Sequence, residues 1–246
     1  MNYELIKVCG MRNGENIRAV TALGVNWIGM IFWDQSPRNV TMIPTHAGII
    51  PDKASANLHQ EAKAAEASAV KPAGRQSKGT ALVGVFVDEM AQNIITRAVN
   101  YQLDLIQLHG NETPTFIRNL RRTLDPDIRP GIQFIKAISI PEGPRPAIRD
   151  AIATCQQYED CVDYFLFDTH SKSVGGSGKQ FDWSVLEAYD GEKPFLLSGG
   201  IGPDDAERLK AFHHPKCIGI DLNSRFETEP GMKDVKALSR FLKELS

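Results

Sequence analysis

Eight short apolar runs recur along this chain, each suited to a strand that is buried on both faces. They are Leu5 to Cys9, Trp27 to Phe32, Leu82 to Val87, Leu103 to Leu108, Phe134 to Ile138, Tyr164 to Phe167, Pro194 to Leu197 and Cys217 to Leu222. Between most of them lie stretches with helical patterning, with residues suited to starting and ending a helix. These stretches are Gly14 to Leu23, Ala91 to Tyr101, Pro114 to Leu124, Arg145 to Tyr158, Asp182 to Tyr189, Pro203 to Phe212 and Gly231 to Leu245. The alternation predicts a parallel sheet that is covered by helices.

Eight strand–helix units favour closure into a (β/α)8 TIM barrel over an open, doubly wound sheet. Such barrels run to about 250 residues as one unit, so the 246 residues of this chain fit a single barrel domain, residues 1–246. After the first predicted strand the chain reads Cys9-Gly10-Met11-Arg12-Asn13-Gly14. This segment lacks the G-x-G-x-x-G arrangement of dinucleotide-binding folds, which argues against the open sheet.

Residues 53–79 depart from this pattern. Their only large aliphatic side chains are Leu58 and Val70, against eight alanines and seven charged residues, so the segment cannot bury much surface. We expect a surface insertion between the second and third predicted strands, without a catalytic role. Its alanine-rich part, Gln60 to Ala69, has high helix propensity, but isolated helices this short are marginal. A mobile helix and a disordered stretch are therefore both open.

The charge of the chain argues against nucleic acid as a partner. There are 28 basic and 30 acidic residues without long blocks of one sign, which leaves a net charge of −2 and no large positive field. No apolar run approaches the roughly 20 residues needed to cross a bilayer, and Met1 to Lys7 lack the succession typical of a signal peptide. We expect a cytoplasmic protein without a membrane partner.

The four cysteines are Cys9, Cys155, Cys161 and Cys217. None forms the C-x-x-C spacing of zinc or redox sites, so we expect free thiols and no metal site. Three of them fit small buried hydrophobic residues. Cys9 is the exception, because it ends a predicted strand.

Catalytic groups of a barrel stand at the carboxyl ends of its strands and in the loops that follow. Several predicted strand ends are unusually polar. They read Lys7-Val8-Cys9-Gly10, Asp34-Gln35-Ser36-Pro37-Arg38, Gln107-Leu108-His109-Gly110, Asp168-Thr169, Ser198-Gly199-Gly200 and Asp221-Leu222-Asn223-Ser224. These segments supply the candidate site residues.

Six of the chain's segments together resemble phosphoribosylanthranilate isomerases. They are Lys7-Val8-Cys9-Gly10-Met11, Ser36-Pro37-Arg38, Gly84-Val85-Phe86-Val87, Gln107-Leu108-His109-Gly110, Phe167-Asp168-Thr169 with Gly175-Gly176-Ser177-Gly178, and Leu197-Ser198-Gly199-Gly200-Ile201. They occur in the family's order and cover nearly the whole chain except the insertion. The resemblance implies a TIM barrel of tryptophan biosynthesis that performs an Amadori rearrangement of a small phosphorylated substrate, without a metal or organic cofactor, as a monomer or a homodimer.

The resemblance assigns general acid to Asp168 and general base to Cys9. Opening the sugar ring needs an acid at the ring oxygen, and the resulting imine needs a base for the C2 proton. An aspartic acid is ordinarily ionised at neutral pH and a thiol is ordinarily protonated, so each role requires help from the surroundings. Without the flanking pattern, Cys9 reads as a small buried residue and Asp168 as a helix cap or turn residue.

Lys7 and Asp221 are candidates for supporting roles. Lys7 precedes Cys9 by two residues on the same strand, so both should face the barrel interior, and its cation would increase the thiolate fraction. Lys7 could equally be the buried partner of Asp221. Asp221 could contact the substrate's amine or ribose hydroxyls, or hold Lys7.

Both anionic ends of the implied substrate have candidate ligands. Arg38 could fork onto the anthranilate carboxylate, a geometry that lysine does not reproduce, and is otherwise a solvated loop residue. The loops after the seventh and eighth strands bind phosphate in such barrels through backbone N–H groups. The predicted phosphate ligands are Gly199, Gly200, Asn223, Ser224 and Arg225.

The eighth-strand loop departs from the family pattern, because Asn223-Ser224-Arg225 stands where many members read Ser-Ser-Gly. Arg225 could add a charge to the phosphate, or point into solvent while its amide binds. At the fourth strand end, His109 fits a site-lining or structural histidine better than a proton-transfer group, and Gln107 should share its inward direction. The Gly- and Ser-rich stretch from Thr169 to Gln180 favours a lid over a simple flexible loop.

Two other function classes share parts of this pattern. Another phosphosugar isomerase, or indole-glycerol-phosphate synthase, would share the phosphate loops. A histidine-pathway isomerase is expected to carry an aspartate where Cys9 stands, and the synthase needs a lysine acid and glutamates at strand ends that this chain lacks. A non-catalytic phosphate-ligand-binding barrel is disfavoured by the presence of Cys9, Asp168 and Arg38 together.

Overall fold

The computed structural model of the chain describes residues 3–45, 48–51, 79–141, 143–169 and 182–246. Its strands are β1 (Leu5–Val8), β2 (Trp27–Ile31), β3 (Met42–Thr45), β4 (Gly48–Pro51), β5 (Ala81–Phe86), β6 (Leu105–Leu108), β7 (Gln133–Ile140), β8 (Tyr164–Thr169), β9 (Phe195–Leu197), β10 (Cys217–Leu222), β11 (Glu227–Glu229) and β12 (Met232–Lys233). Eight of these close a parallel barrel in the order β1-β10-β9-β8-β7-β6-β5-β2. The predicted (β/α)8 architecture is confirmed.

Six α-helices and three short 3-10 helices accompany the strands in the described parts of the chain. The α-helices are α1 (Gly14–Thr21), α2 (Ala91–Asn100), α3 (Pro114–Leu124), α4 (Arg145–Ala153), α5 (Ala206–Ala211) and α6 (Val235–Leu245). Side-chain caps begin three of them: Asn13 accepts from the Asn16 N–H, Thr113 from the Phe116 N–H, and Asp234 from the Lys236 and Ala237 N–H groups. Such caps satisfy backbone donors that have no partner within the helix.

The 3-10 helices are Thr154–Gln157, Trp183–Ala188 and Ser224–Phe226. The second of them occupies the predicted helix of residues 182–189. It is shorter than predicted, in keeping with the limited length of 3-10 helices. Asp182 caps it by accepting from the Ser184 N–H.

Side chains of the barrel strands alternate between two cores. The inner core fills the barrel and includes Trp27, Val85, Ile135 and Leu196. The outer core, between strands and helices, is larger and includes Phe134, Ile138, Phe167 and Phe195. Because register aligns Val85, Gln107 and Ile135 across β5, β6 and β7, Gln107 points into the barrel as predicted.

Two hairpins stand outside the predicted pattern. One joins β3 to β4, and the other joins β11 to β12 through Pro230 and Gly231, directly after the 3-10 helix that follows β10. The predicted insertion at 53–79 lies outside the described residues, apart from Gly79 at its end. Within the described parts of the chain, no helix is both long and apolar enough to span a bilayer.

Candidate active site

A cleft opens at the carboxyl ends of the barrel strands. Its polar lining includes Cys9, Gln107, His109, Asp168, Gly199, Gly200, Asp221, Asn223, Ser224 and Arg225, which are all the predicted site residues except Lys7 and Arg38. Ile31, Trp33, Val85 and Val87 form an apolar wall of the cleft, of which only Val85 and Val87 belong to one of the six segments that carry the family resemblance. The cleft therefore combines titratable groups with a surface suited to an aromatic ring.

Cys9 lies directly after β1 and is buried, with a relative exposure of 4%. Its N–H donates to the Leu222 carbonyl at 2.8 Å, which extends the pairing of β1 with β10 into the site. Burial raises the pKa of the Cys9 thiol, although the cations of Lys7 and Lys233 act in the opposite direction. The predicted effect of Lys7 is thus present, but the pKa moves upward overall because desolvation of the thiolate is larger.

Lys7 and Asp221 form a buried ion pair beneath Cys9. The Lys7 Nζ lies 2.8 Å from Asp221 Oδ1, and the two residues are register partners between β1 and β10. Burial disfavours the ammonium, but the charges and hydrogen bonds of Asp221 and Cys9 together outweigh this effect and raise the pKa of Lys7. Lys7 also interacts with Cys9, so the two readings of Lys7, as partner of Asp221 and as neighbour of the thiol, both hold.

Asp168 stands near the end of β8, across the cleft mouth from β1. Its Oδ1 accepts from the Thr169 N–H at 2.8 Å, and its Oδ2 lies 3.4 Å from His109 Nε2. The His109 Nδ1 in turn lies 3.0 Å from Gln107 Nε2. Asp168, His109 and Gln107 thus form a chain of polar contacts from the cleft into the barrel.

Gln107 is almost fully buried, and its Oε1 has no hydrogen-bond partner among the described residues. A buried acceptor without a partner is costly.

Two loops with backbone groups turned toward the cleft form its other side. Gly199 and Gly200, after β9, have φ values of +92° and +69°, which favour glycine and allow close approach of a ligand to the backbone. After β10, Asn223 precedes the 3-10 helix Ser224–Phe226. These two loops carry the residues that we predict to bind phosphate, and all five line the cleft.

Arg225 lies across these two loops. A Cβ at Gly202 would stand 2.8 Å from its Nε, so the guanidinium packs against the loop after β9 while the residue lines the cleft. Both predicted roles of Arg225, a direct charge on the phosphate and a backbone donor, remain predictions.

Arg38 differs from its predicted placement. It is buried, and its Nε and Nη2 donate to Oε1 and Oε2 of Glu227 at 2.9 and 2.6 Å. The guanidinium N–H groups that we expected to bind a substrate carboxylate thus bind a carboxylate of the protein. Arg38 consequently lies behind the cleft wall instead of lining it.

Glu227 and Lys233, on the β11–β12 hairpin, are site residues that the sequence patterns missed. The Lys233 Nζ donates to Glu227 Oε1 at 2.5 Å and to Asn223 Oδ1 at 2.8 Å. Burial lowers the pKa of Lys233, whereas hydrogen bonds from Arg38 and Lys233 and their charges lower the pKa of Glu227 against the effect of burial. The Pro230-Gly231 turn between two charged stretches was the available signal for a hairpin at this place.

Among the described residues, no group of three or more His, Cys, Asp or Glu side chains is arranged to hold a metal ion.

Comparison with known proteins gives the relatives of this chain. Residues 44–244 match the family model described as N-(5′-phosphoribosyl)anthranilate (PRA) isomerase. A relative from Parabacteroides distasonis that bears the name N-(5′-phosphoribosyl)anthranilate isomerase is 42% identical over 241 residues, covering 98% of this chain and 93% of the relative. Another of that name, from Phocaeicola vulgatus, is 39% identical over 241 residues, covering 98% of this chain and 97% of the relative.

Solved structures share the fold. Phosphoribosyl anthranilate isomerase from Thermus thermophilus superposes with a TM-score of 0.69 at 22% identity, with 98% of each chain covered. Another such isomerase, solved in complex with reduced 1-(o-carboxyphenylamino)-1-deoxyribulose 5-phosphate, superposes with a TM-score of 0.66 at 23% identity, with 98% of this chain and 97% of that chain covered. The family model and the relatives above 30% identity show that the chain belongs to the N-(5′-phosphoribosyl)anthranilate isomerase family.

Proposed function

We propose that this chain converts N-(5-phosphoribosyl)anthranilate to 1-(2-carboxyphenylamino)-1-deoxyribulose 5-phosphate in tryptophan biosynthesis, with Asp168 as general acid and Cys9 as general base. The observation that carries the proposal is that the Cys9 thiol and the Asp168 carboxyl line one cleft. The two glycines after β9 and the 3-10 helix after β10 line the same cleft. Family membership supports the reaction class.

The reaction needs two groups in opposite protonation states. Asp168 donates a proton to the ring oxygen as the bond from C1 to that oxygen breaks, and the nitrogen lone pair forms the imine. The Cys9 thiolate then takes the C2 proton, and the electron pair of that bond forms the enolamine, which tautomerises to the ketone. General acid and base groups each contribute about 10²- to 10⁴-fold to such steps.

Only the thiolate of Cys9 can take the C2 proton, so the groups that favour this form matter for the step. Burial raises the pKa of the thiol, while Lys7 and Lys233 provide positive charge for the thiolate. Since Lys7 is paired with Asp221 at 2.8 Å, its ammonium is held in place. A fixed cation favours the thiolate without reorganisation during the reaction.

The two ends of the cleft fit the two ends of this substrate. The apolar wall of Ile31, Trp33, Val85 and Val87 suits the anthranilate ring. At the other end, the backbone after β9 and β10 together with Arg225 suits the phosphate. The guanidinium of Arg38 is bound to Glu227 and does not line this wall, so the anthranilate carboxylate is not assigned to Arg38.

Turnover of freshly generated N-(5-phosphoribosyl)anthranilate by the purified chain tests the function. We expect loss of the anthranilate-type fluorescence of the substrate with saturable kinetics, and no turnover of the aminoaldose of histidine biosynthesis. Binding without turnover would instead support a non-catalytic phosphate-ligand-binding barrel. Turnover confined to the histidine-pathway substrate would support the rival isomerase.

A further inference from the structure

A buried ion pair that the reaction does not use lies on the outer face of the barrel, beside His109. It joins Lys136 of β7 to Glu112 in the loop after β6, with Nζ and Oε2 3.2 Å apart. The exposed fractions of the two side chains are 4% and 2%. Lys136 shares the outward direction of Phe134 and Ile138 on the same strand, so its side chain points into the outer core.

The pair binds the backbone on both sides of His109. The Lys136 Nζ donates to the carbonyls of Leu108 at 3.3 Å and Gly110 at 2.6 Å. The Glu112 carboxylate accepts from the Gly110 N–H at 3.1 Å. The two peptide groups that flank His109 are therefore fixed by one lysine and one glutamate.

The same glutamate ties this loop to its neighbour. Glu112 Oε1 accepts from the Asp88 N–H at 3.0 Å, in the loop after β5, and Asp88 Oδ1 accepts from the Asn111 N–H at 2.5 Å. Gly110 sits so close to Asp88 that a Cβ would stand 2.5 Å from Oδ1. The loops after β5 and β6 thus form one connected piece.

Stability alone is a weak reason for such a pair. In many proteins the free energy needed to desolvate two charges exceeds the free energy gained from their attraction. Replacing such a pair by apolar residues is therefore often neutral or stabilising. Burial also lowers the pKa of Lys136, which shows the cost of holding the charge at this place. All three hydrogen bonds of the Lys136 ammonium go to the loop that carries His109.

We propose that Lys136 and Glu112 are positioning residues that hold the His109 ring against the Asp168 carboxyl. The inference rests on the proposed function, since Asp168 is the acid of that reaction. His109 Nε2 lies 3.4 Å from Asp168 Oδ2, and His109 Nδ1 lies 3.0 Å from Gln107 Nε2. The ring therefore orients the acid, and the ion pair orients the ring.

This arrangement predicts a specific kinetic effect. The groups proposed for the phosphate of the substrate lie on the loops after β9 and β10, away from the pair. Loosening His109 should consequently slow the acid step without weakening substrate binding. We expect Lys136→Met to lower kcat about tenfold or more, as is usual for a displaced catalytic group, with KM within about twofold of wild type.

A double-mutant cycle with His109 separates positioning from general damage. In a His109→Asn background, Lys136→Met should cause no further loss of kcat, because the side chain that it positions is already absent. Equal losses in both backgrounds, or a wild-type kcat for Lys136→Met alone, would overturn the proposal. If Lys136→Met does not fold, the double variant Lys136→Met/Glu112→Gln takes its place. It removes both charges and keeps a side-chain oxygen that can accept from the Gly110 N–H. It is tested in the same cycle, and the same two results would overturn the proposal.

A matched control is Arg121→Met, which breaks the pair between Arg121 Nη2 and Asp163 Oδ2 at 2.6 Å, between α3 and the start of β8. It should lower stability and leave kcat unchanged. The NMR signal of the His109 ring gives a readout that needs no turnover: it should shift in Lys136→Met and stay in place in Arg121→Met. If wild type fails to turn over, the proposed function fails, while an unmoved His109 signal in Lys136→Met overturns the positioning role by itself.

Discussion

At the residue scale, the central feature is a thiol whose burial and whose cationic neighbours act in opposite directions. Burial alone would leave Cys9 protonated at neutral pH. Lys7 and Lys233 favour the thiolate, while Asp221 opposes it and at the same time holds Lys7 in place. The fraction of thiolate, the form that acts as base, therefore depends on these two cations.

Removing the Lys7 cation should make this balance visible in a pH profile. With Lys7→Met, burial and Asp221 both disfavour the thiolate and only Lys233 favours it, so the pKa of Cys9 rises further. Because the thiolate is the active form, kcat/KM rises with pH through this pKa, and that limb should move to higher pH by about one pH unit or more.

The control for this profile is Lys210→Met, which removes a lysine paired with Glu207 on the surface. The rise of kcat/KM with pH in this variant should coincide with that of wild type. Since Lys7→Met leaves Asp221 without its partner, at a cost of about 3 kcal/mol, the comparison is made at a temperature at which circular dichroism shows both variants folded. An unmoved limb in folded Lys7→Met would contradict the role given to Lys7.

At the scale of elements, the segment after β10 carries an unusual share of the site. The 3-10 helix Ser224–Phe226 and the β11–β12 hairpin together supply Arg225, Glu227 and Lys233. Glu227 orients Arg38, which is 189 residues earlier in the chain, and Lys233 holds Asn223. One short segment thereby joins the two ends of the cleft.

Arg225 belongs to this segment and gives it a direct test. With Arg225→Ala, the phosphate end loses one charge and keeps its backbone donors, so KM and the Kd of inorganic phosphate should each rise about tenfold, the value of one charge-assisted hydrogen bond. The kcat should stay near wild type. Arg118→Ala, which removes an exposed arginine paired with Asp160, is the control, and equal phosphate affinity in both variants would contradict the assignment.

At the scale of the whole molecule, local sequence patterns predict the barrel. They do not predict which charged residues form pairs across long distances in the sequence. The eight apolar runs predict the barrel strands, and the carboxyl-end rule brings Cys9, His109 and Asp168 to one cleft. The partners of charged residues depend on register and on hairpins. Lys136 lies within an apolar run whose pattern gives no sign of Glu112, and nothing near Arg38 points to Glu227.

The most direct test of the account is the kcat of Cys9→Ala and of Asp168→Asn with N-(5-phosphoribosyl)anthranilate. The barrel of each variant should remain folded, because Cys9→Ala removes a single heavy atom and Asp168→Asn keeps the size of a partly exposed side chain. Each kcat should fall about 10²-fold or more, with the phosphate affinity retained. A wild-type rate in either variant would contradict the assignment of proton transfer to that residue.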